Sequence, residues 1–266
     1  MPDYPLFCIT LYHPIPPRNH SINMNLIIDQ GNTRCKTAVF DEHGKLLYED
    51  VSSELTTARL ERVIATHRPT AGIFSTVLPE NESVTAWLKA ILPRFVPFTV
   101  HTPMPLKVDY RTPETLGLDR LAAAVGAWTL VPNRTLLVID MGTAVTYDLV
   151  SRDGVYLGGN IAPGVQLRFR SLHAHTGKLP LVEPTTLFDA FGKDTVSAVR
   201  AGVMQGIVHE THGYIEQYTA QYPDLFAFLT GGDLIYFAEN LKSGIFVCEN
   251  LVLTGLNAIL NYHARI

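Results

Sequence analysis

"LIIDQGNTRCKTAVFDEHGKLLYED", residues 26–50, has a second copy of its pattern in "LLVIDMGTAVTYDLVSRDGVYLGGN", residues 136–160. Each copy has an apolar run, an aspartate, one residue, a glycine, a threonine and a second apolar run. A polar turn containing glycine and a third apolar run follow. Short apolar runs bounded by turn residues predict strands. Each copy therefore predicts a strand, a tight polar turn and then a hairpin.

The two copies repeat an aspartate and a glycine at the end of the first strand, Asp29 with Gly31 and Asp140 with Gly142. If the copies face each other, two carboxylates and two sets of backbone N–H groups surround one cleft, which suits nucleotide phosphates and their cation. Taken alone, the first turn is equally consistent with an ordinary hairpin turn rich in Asn, Gly and Asp. The second copy favours the functional interpretation. Neither turn matches the P-loop or the G-x-G-x-x-G pattern.

Composition excludes several classes of protein. A chain of 266 residues with 47% hydrophobic and 17% charged residues is typical of two modest globular domains or one large one. The net charge of −4 disfavours a nucleic-acid surface. No apolar run approaches the roughly 18 residues of a membrane helix. The cysteines, Cys8, Cys35 and Cys248, follow no metal or disulfide pattern, which favours a reducing cytoplasm.

The order of elements predicts two domains, residues 24–132 and 133–266. Residues 1–23 are rich in proline and lack periodicity, so they form either a poorly ordered extension or a mis-assigned start, with translation beginning at Met24; the second is favoured. Hydrophobic spacing predicts helices at 55–67, 82–92, 113–130, 196–218, 235–242 and 251–263, with further strands at 71–78, 98–100 and 226–229. Each half of the chain begins with strands and continues with alternating helices and strands. This repeated order predicts a duplicated α/β architecture.

Three further motifs carry candidate chemistry. In Gly117–Arg120, an aspartate and an arginine at a helix start could bind a polar substrate and accept a hydroxyl proton, although their spacing alone is more typical of a surface pair. The glycine-dense stretch 158–164 predicts close backbone approach to a ligand or partner, or a plain loop. "TGGD", residues 230–233, suits an adenosine, a phosphate or a bare helix N-cap. We predict that His173 and His175 are polar loop residues, since no third metal ligand is evident.

Together these motifs resemble the type III pantothenate kinases, within the superfamily of acetate and sugar kinases, Hsp70 and actin. The resemblance begins at Met24 and rests on six motifs in order: "DQGNTRCK", "YRTPETLGLDRLAAAVGA", "VIDMGTAVTYDLV", "GGNIAPG", "GKDTVSAVRAG" and "LTGGD". It implies an α/β fold of duplicated ribonuclease H-like domains with a nucleotide cleft between them. It also implies ATP-dependent phosphorylation of pantothenate to 4′-phosphopantothenate, the first step of coenzyme A biosynthesis.

The resemblance implies roles for particular residues. The ATP phosphate loop would consist of Asp29, Gln30, Gly31, Asn32, Thr33, Arg34, Cys35 and Lys36, with magnesium near its first aspartate, and Thr143 would also contact ATP. The pantothenate site would be lined by Tyr110, Gly117, Leu118, Asp119, Arg120 and Thr195. Within it Asp119 would accept the hydroxyl proton, and Thr195 would reach across a homodimer interface. Asp140 would hold potassium or ammonium.

For "GLDR" the resemblance outweighs the spacing argument. The chain departs from the family at Gln30, where a small or aliphatic residue is usual, and at Leu118, where alanine is commoner. The first 23 residues have no family counterpart. The expected partners are ATP, pantothenate and a second copy of the chain in the cytoplasm, with no nucleic acid and no membrane. Two alternatives stay open: a nucleotide-binding regulator without turnover, and a sugar or acetate kinase.

Overall fold

The computed structural model describes residues 23–78, 82–241 and 245–265. The expectation for the N-terminal extension therefore lies outside the described residues. The chain divides into two compact units: unit A contains residues 23–130 with 251–265, and unit B contains residues 131–250. Each unit has a mixed sheet with helices, so the predicted duplicated α/β class is confirmed.

Unit A contains a five-stranded sheet with the order β3-β2-β1-β4-β5. The hairpin strands β1 to β3 are antiparallel, whereas β4 and β5 continue the sheet in parallel with β1. The elements in chain order are β1 Asn25–Gln30, β2 Cys35–Phe40, β3 Leu46–Ser52, α1 Thr57–His67, β4 Ala71–Thr76, α2 Glu82–Ile91, β5 Arg94–Pro97, β6 Lys107–Val108, a 3₁₀ turn Pro113–Thr115, α3 Leu118–Leu130 and, at the C-terminal end, α7 Leu251–His263.

Helices cover both faces of this sheet. One face packs against α1 and α2 in a core that includes Leu26 and Ile28 of β1, with Leu60 and Leu88 from the helices. On the other face α7 contacts β1 and β4, and α3 contacts β4. There the buried Asn25 side chain donates two hydrogen bonds to α7 from its amide nitrogen. One goes to Asn257 Oδ1 at 2.7 Å and the other to Asn261 Oδ1 at 2.8 Å. Covering both faces leaves the strand ends as the accessible part of the sheet.

Helices α3 and α7 cross at a pair of glycines. A methyl group at Gly126 would overlap the Leu251 carbonyl oxygen, and one at Gly255 would overlap the Ala122 carbonyl oxygen. Such contact between two backbones is possible only without side chains. This crossing packs α7 with unit A, whereas the sequence-based division placed residues 133–266 together.

Unit B has the same strand arrangement, with the order β11-β10-β7-β8-β9 for its own five strands. Its long helix α5, Thr195–Gln221, packs on the sheet with α4, Val165–Ala174, through Phe169, Met204 and Ile207. No helix in the described ranges is long and apolar enough to cross a bilayer. The elements are β7 Leu136–Met141, β8 Ala144–Val150, β9 Val155–Pro163, α4 Val165–Ala174, α5 Thr195–Gln221, β10 Phe226–Thr230, α6 Leu234–Phe237 and β11 Ile245–Val247.

The duplication extends to the hairpin turns. In the first turn, residues 41–45, the Asp41 N–H donates to the Lys45 carbonyl oxygen at 3.0 Å. The Gly44 N–H, at φ 79°, donates to the Asp41 carbonyl oxygen at 3.0 Å. In residues 151–155 the same two bonds measure 2.8 and 3.0 Å, with Gly154 at φ 75°. The predicted pair of hairpins is confirmed at the level of individual hydrogen bonds.

Several predicted elements were wrong in position. The strand predicted at 98–100 is instead β5, Arg94–Pro97, which starts directly after Pro93 ends the α2 segment. The helix predicted at 113–130 starts with the 3₁₀ turn, and α3 begins at Leu118. Of the predicted helix 235–242, α6 ends at Phe237, and residue 242 lies outside the described residues.

Helix α4 was not predicted. It places His173 in its last turn, so the prediction that this histidine lies in a loop was wrong, and His175 follows as the C-cap. The His173 ring Nδ1 lies 2.9 Å from the Leu179 carbonyl oxygen.

We predict that Gly255→Ala destabilises the protein by about 3 kcal/mol, because the added methyl overpacks the α3–α7 crossing. Gly213→Ala is the matched control, since that glycine is exposed on α5 and an added methyl meets no atom within 4 Å. The control should stabilise the protein by about 0.5–1 kcal/mol through its helix propensity. Urea unfolding measures both changes, and equal changes would contradict the close crossing.

Candidate functional site

The turn after β1 exposes polar groups beside a carboxylate. Gly31 N–H donates to the Arg34 carbonyl at 2.9 Å, which closes the turn. Asn32 and Thr33 are exposed, and Asp29 is half-buried near the C-terminal end of β1. The turn therefore combines solvent-facing donors with an acidic oxygen, as a phosphate loop with a nearby cation requires.

Strand pairing holds this turn on both sides. In register, Asp29 lies opposite Lys36 on the antiparallel side and opposite Ser75 on the parallel side. The Thr76 hydroxyl donates to Gln30 Oε1 at 3.2 Å, so this glutamine connects the turn to β4.

Ser75 was not among the predicted site residues. It is fully buried beside Asp29, and its hydroxyl has no hydrogen-bond partner within the ranges that the structure describes. The available signal was a small polar residue in the otherwise apolar run "AGIFS".

Cys35, at the start of β2, is buried. Burial, followed by the negative charge of Asp29, raises the pKa of the Cys35 thiol from 9.0 to about 11. Cys35 is one of the residues predicted to form the ATP loop, but its side chain belongs to the core cluster that contains Ile28 and Val39. Its side chain therefore shapes the turn from within the core.

The start of α3 brings an aspartate over a glycine. Asp119 Oδ1 accepts from Arg120 N–H at 2.8 Å, and a methyl group at Gly117 would lie only 2.6 Å from the same oxygen. Asp119 and Leu118 are half-buried, and Arg120 is 6% exposed. The burial of Arg120 therefore argues against the surface pair that the spacing alone suggested.

In unit B, three backbone segments converge at the end of β7. Gly142 N–H donates to the Ala144 carbonyl at 3.0 Å and so closes the second turn. Gly164 N–H donates to the Thr143 carbonyl at 3.1 Å, and Asp233 N–H donates to the Met141 carbonyl at 2.9 Å. The motifs "DMGT", "GGNIAPG" and "TGGD" therefore meet around one turn.

Close approach explains the glycines of these motifs. Gly231 has φ 107°, and a methyl group there would overlap the Met141 carbonyl oxygen and crowd Asp140 Oδ1. A methyl group at Gly164 would overlap the Gly142 and Thr143 carbonyl oxygens. The predicted close backbone approach of 158–164 is thus made to the chain itself.

The donors near each aspartate fit hard cations. Around Asp140 they are a carboxylate and backbone carbonyl oxygens, the kind of oxygen ligands that hard cations prefer. Within the described residues no group of three or more His, Cys, Asp or Glu could hold a metal ion by itself.

The remaining predicted residues lie at element boundaries. Thr143 is exposed in the second turn, and Tyr110 is half-buried before the 3₁₀ turn. Thr195 is exposed at the first position of α5, directly after the N-cap Asp194, whose side chain accepts from Ser197 N–H at 2.9 Å. Unit A thus holds Asp29 with Asp119, unit B holds Asp140, and the cleft between units stays a prediction.

Solved structures with this arrangement define the class. The chain is similar to a glucokinase from an Antarctic psychrotroph, with a TM-score of 0.52, 12% identity and coverage of 91% of this chain and 99% of that one. It is also similar to the activator of 2-hydroxyisocaproyl-CoA dehydratase from Clostridium difficile, with a TM-score of 0.51, 12% identity and coverage of 92% and 96%. The chain therefore shares the fold of these two proteins.

Comparison with known sequences identifies the family to which the chain belongs. A family model described as type III pantothenate kinase matches residues 25–217. The type III pantothenate kinase of Azobacteroides pseudotrichonymphae is 44% identical over 243 residues, covering 91% of this chain and 98% of that protein. That of Bacteroides fragilis is 46% identical over 242 residues, covering 90% and 98%. The chain belongs to the type III pantothenate kinase family.

The Cys35 thiol should resist alkylation in the folded protein. Because burial and Asp29 raise its pKa to about 11, it stays protonated at pH 8, and it should react with iodoacetamide far more slowly than the half-buried Cys248. The stability that this protonated thiol contributes is complete below about pH 9 and is lost as the pH rises towards 11.

Timed alkylation with peptide mass spectrometry measures both rates. Asp29→Asn removes the second cause of the shift and should speed the reaction of Cys35 at pH 9. Equal rates for Cys35 and Cys248 in the folded protein would contradict the burial argument.

Proposed function

We propose that this protein transfers the γ-phosphoryl group of ATP to pantothenate, giving 4′-phosphopantothenate and ADP, the first step of coenzyme A biosynthesis. The observation that carries the proposal is the match to type III pantothenate kinases over most of the chain. The phosphate-type turns at Gly31 and Gly142 and the carboxylate of Asp119 at the start of α3 support it.

In this proposal Asp119 is the general base. Its carboxylate accepts the proton of the substrate's primary hydroxyl while that oxygen attacks the γ-phosphorus. The bond from the γ-phosphorus to the bridging oxygen breaks, and ADP leaves with the electron pair. A loose phosphoryl-transfer transition state requires mainly alignment and charge neutralisation, so glycine turns and carboxylates are sufficient protein groups.

The proposed ligands of the nucleotide follow the two turns. Residues Asp29–Lys36 hold the ATP phosphates, with Thr143 contacting them from the second turn. Asp29 binds the magnesium that accompanies ATP, and Asp140 binds potassium or ammonium. These cations supply neutralisation of the phosphate charge. Tyr110, Gly117, Leu118 and Arg120 surround pantothenate in this proposal.

Asp119→Asn should lower kcat by roughly 10²–10⁴-fold, the usual contribution of a general base. The assay measures 4′-phosphopantothenate formed from ATP, magnesium and pantothenate in potassium buffer. Glu114→Gln is the matched control, because this exposed acid lies in the 3₁₀ turn just before α3. It should keep wild-type turnover.

The same assay separates the alternatives. Replacement of potassium by sodium should slow the wild-type protein, and Asp140→Asn should weaken that dependence. A protein that consumes glucose or acetate faster than pantothenate is a different kinase of the superfamily. Nucleotide binding without any turnover indicates a regulator instead. Wild-type rates for Asp119→Asn would remove the general base from the proposal.

We also propose that the protein forms a homodimer in which Thr195 contacts pantothenate bound to the second copy. In support, Thr195 is exposed at the start of α5, and several large apolar side chains between residues 161 and 196 are exposed. These are Ile161, Leu167, Leu181, Leu187, Phe191 and Val196.

The homodimer predicts a molar mass twice that of the chain in light scattering. Phe191→Asp, which places a charge on a side chain that is 70% exposed, should shift the protein towards monomer without unfolding it. A monomeric wild-type protein that is fully active would contradict the role proposed for Thr195.

A further inference from the structure

A network of side chains in unit B joins β8, α4 and α5. The Tyr147 hydroxyl donates to Glu210 Oε1 at 3.0 Å and lies 3.1 Å from the Thr211 hydroxyl. Arg168 Nη2 donates to Glu210 Oε2 at 2.8 Å. Glu210 therefore uses one carboxylate oxygen for the sheet and the other for α4.

The guanidinium also reaches the backbone before α4. Arg168 Nε donates to the Pro163 carbonyl at 2.7 Å. The next residue, Gly164, donates its N–H to Thr143 and lies against the carbonyl oxygens of the Gly142–Thr143 turn. A continuous chain of contacts thus runs from α5, through Arg168, to the turn that follows Asp140.

This arrangement requires an arginine. Nε and Nη2 are parts of one planar group, so a single side chain fixes the Pro163 carbonyl relative to Glu210. A lysine has one nitrogen and cannot hold both partners in a fixed geometry. The Arg168 and Glu210 side chains are 18% and 28% exposed, so water screens this pair less than a surface ion pair.

Tyr147 anchors the far end of the network. It is fully buried in β8, opposite Ile139 of β7. Burial raises the pKa of its phenol, which therefore keeps its proton and remains a donor to Glu210. The orientation of Glu210 is thus set from within the core of unit B.

We propose that Arg168, held by Glu210, is a positioning residue: it fixes the Pro163–Gly164 backbone against the Gly142–Thr143 turn and thereby sets the affinity of that turn for ATP phosphates. The proposal rests on the proposed function, because it assigns the turn to ATP. Arg168 does not touch the nucleotide. Its loss should affect the ATP step and not the pantothenate step.

Kinetics test the link to the nucleotide. Arg168→Met should raise KM for ATP about tenfold, the size of one charge-assisted hydrogen bond, and leave KM for pantothenate within about twofold. Arg170→Met is the matched control, since Arg170 is exposed two residues further along α4, and it should keep both constants. Arg168→Lys should not restore the KM for ATP, because the paired geometry is lost. Equal rises in both KM values would overturn the proposal.

Hydrogen exchange tests the contact without any substrate. In Arg168→Met the Gly164 amide should exchange about tenfold faster than in Arg170→Met, with the amides of β7 unchanged. Unchanged exchange at Gly164 would overturn the positioning role, whatever the activity. Faster exchange in a protein whose wild type phosphorylates no pantothenate would instead overturn the proposed function and leave the positioning contact intact. If Arg168→Met does not fold, Glu210→Gln supplies the same comparison, because it weakens the charged bond and keeps the shape.

Discussion

The fold depends on a central strand that is paired on both sides in each unit. Strands β1 and β7 each have an antiparallel hairpin partner on one side and a parallel partner on the other. With its backbone groups used in the sheet, such a strand can present chemistry only where it ends. Asp29 and Asp140 lie near those ends. Gly231 approaches Asp140 closely because it has no side chain, and Gly164 approaches the Gly142–Thr143 turn for the same reason. The same strand pairing in the two units therefore places one carboxylate, Asp29 or Asp140, near the end of each central strand.

Sequence periodicity predicted the repeated hairpins because they are local: alternating or continuous apolar runs and turn glycines lie within a few residues of each other. It failed where tertiary contacts decide. The strand at Arg94–Pro97 exists because β4 offers it a parallel edge, and α7 joins unit A because Gly126 and Gly255 allow two backbones to meet. Helix α4 was missed because its first apolar residues, Val165, Leu167 and Phe169, alternate with polar ones, a spacing typical of a strand.

The candidate site likewise contains residues that the sequence could predict and contacts that it could not. Asp29, Asp140 and Asp119 could be selected from motifs, since each lies in a short stretch with characteristic glycines. The contact between Arg168 and Glu210 joins residues 42 positions apart and leaves no local pattern. The glycine density of 158–164 signalled close approach, but only the structure identifies the turn at Gly142 as the surface approached.

The return of α7 to unit A has a consequence for biosynthesis on the ribosome. Among the described residues unit B is continuous in sequence, so strands β7 to β11 have all been made once residue 250 leaves the exit tunnel. Unit A must wait for residues 251–263, because until then Asn25 lacks its amide partners and α3 alone covers one face of its sheet. The part of the chain translated first is therefore the part completed last. Nonsense mutations near the C terminus should damage the N-terminal half.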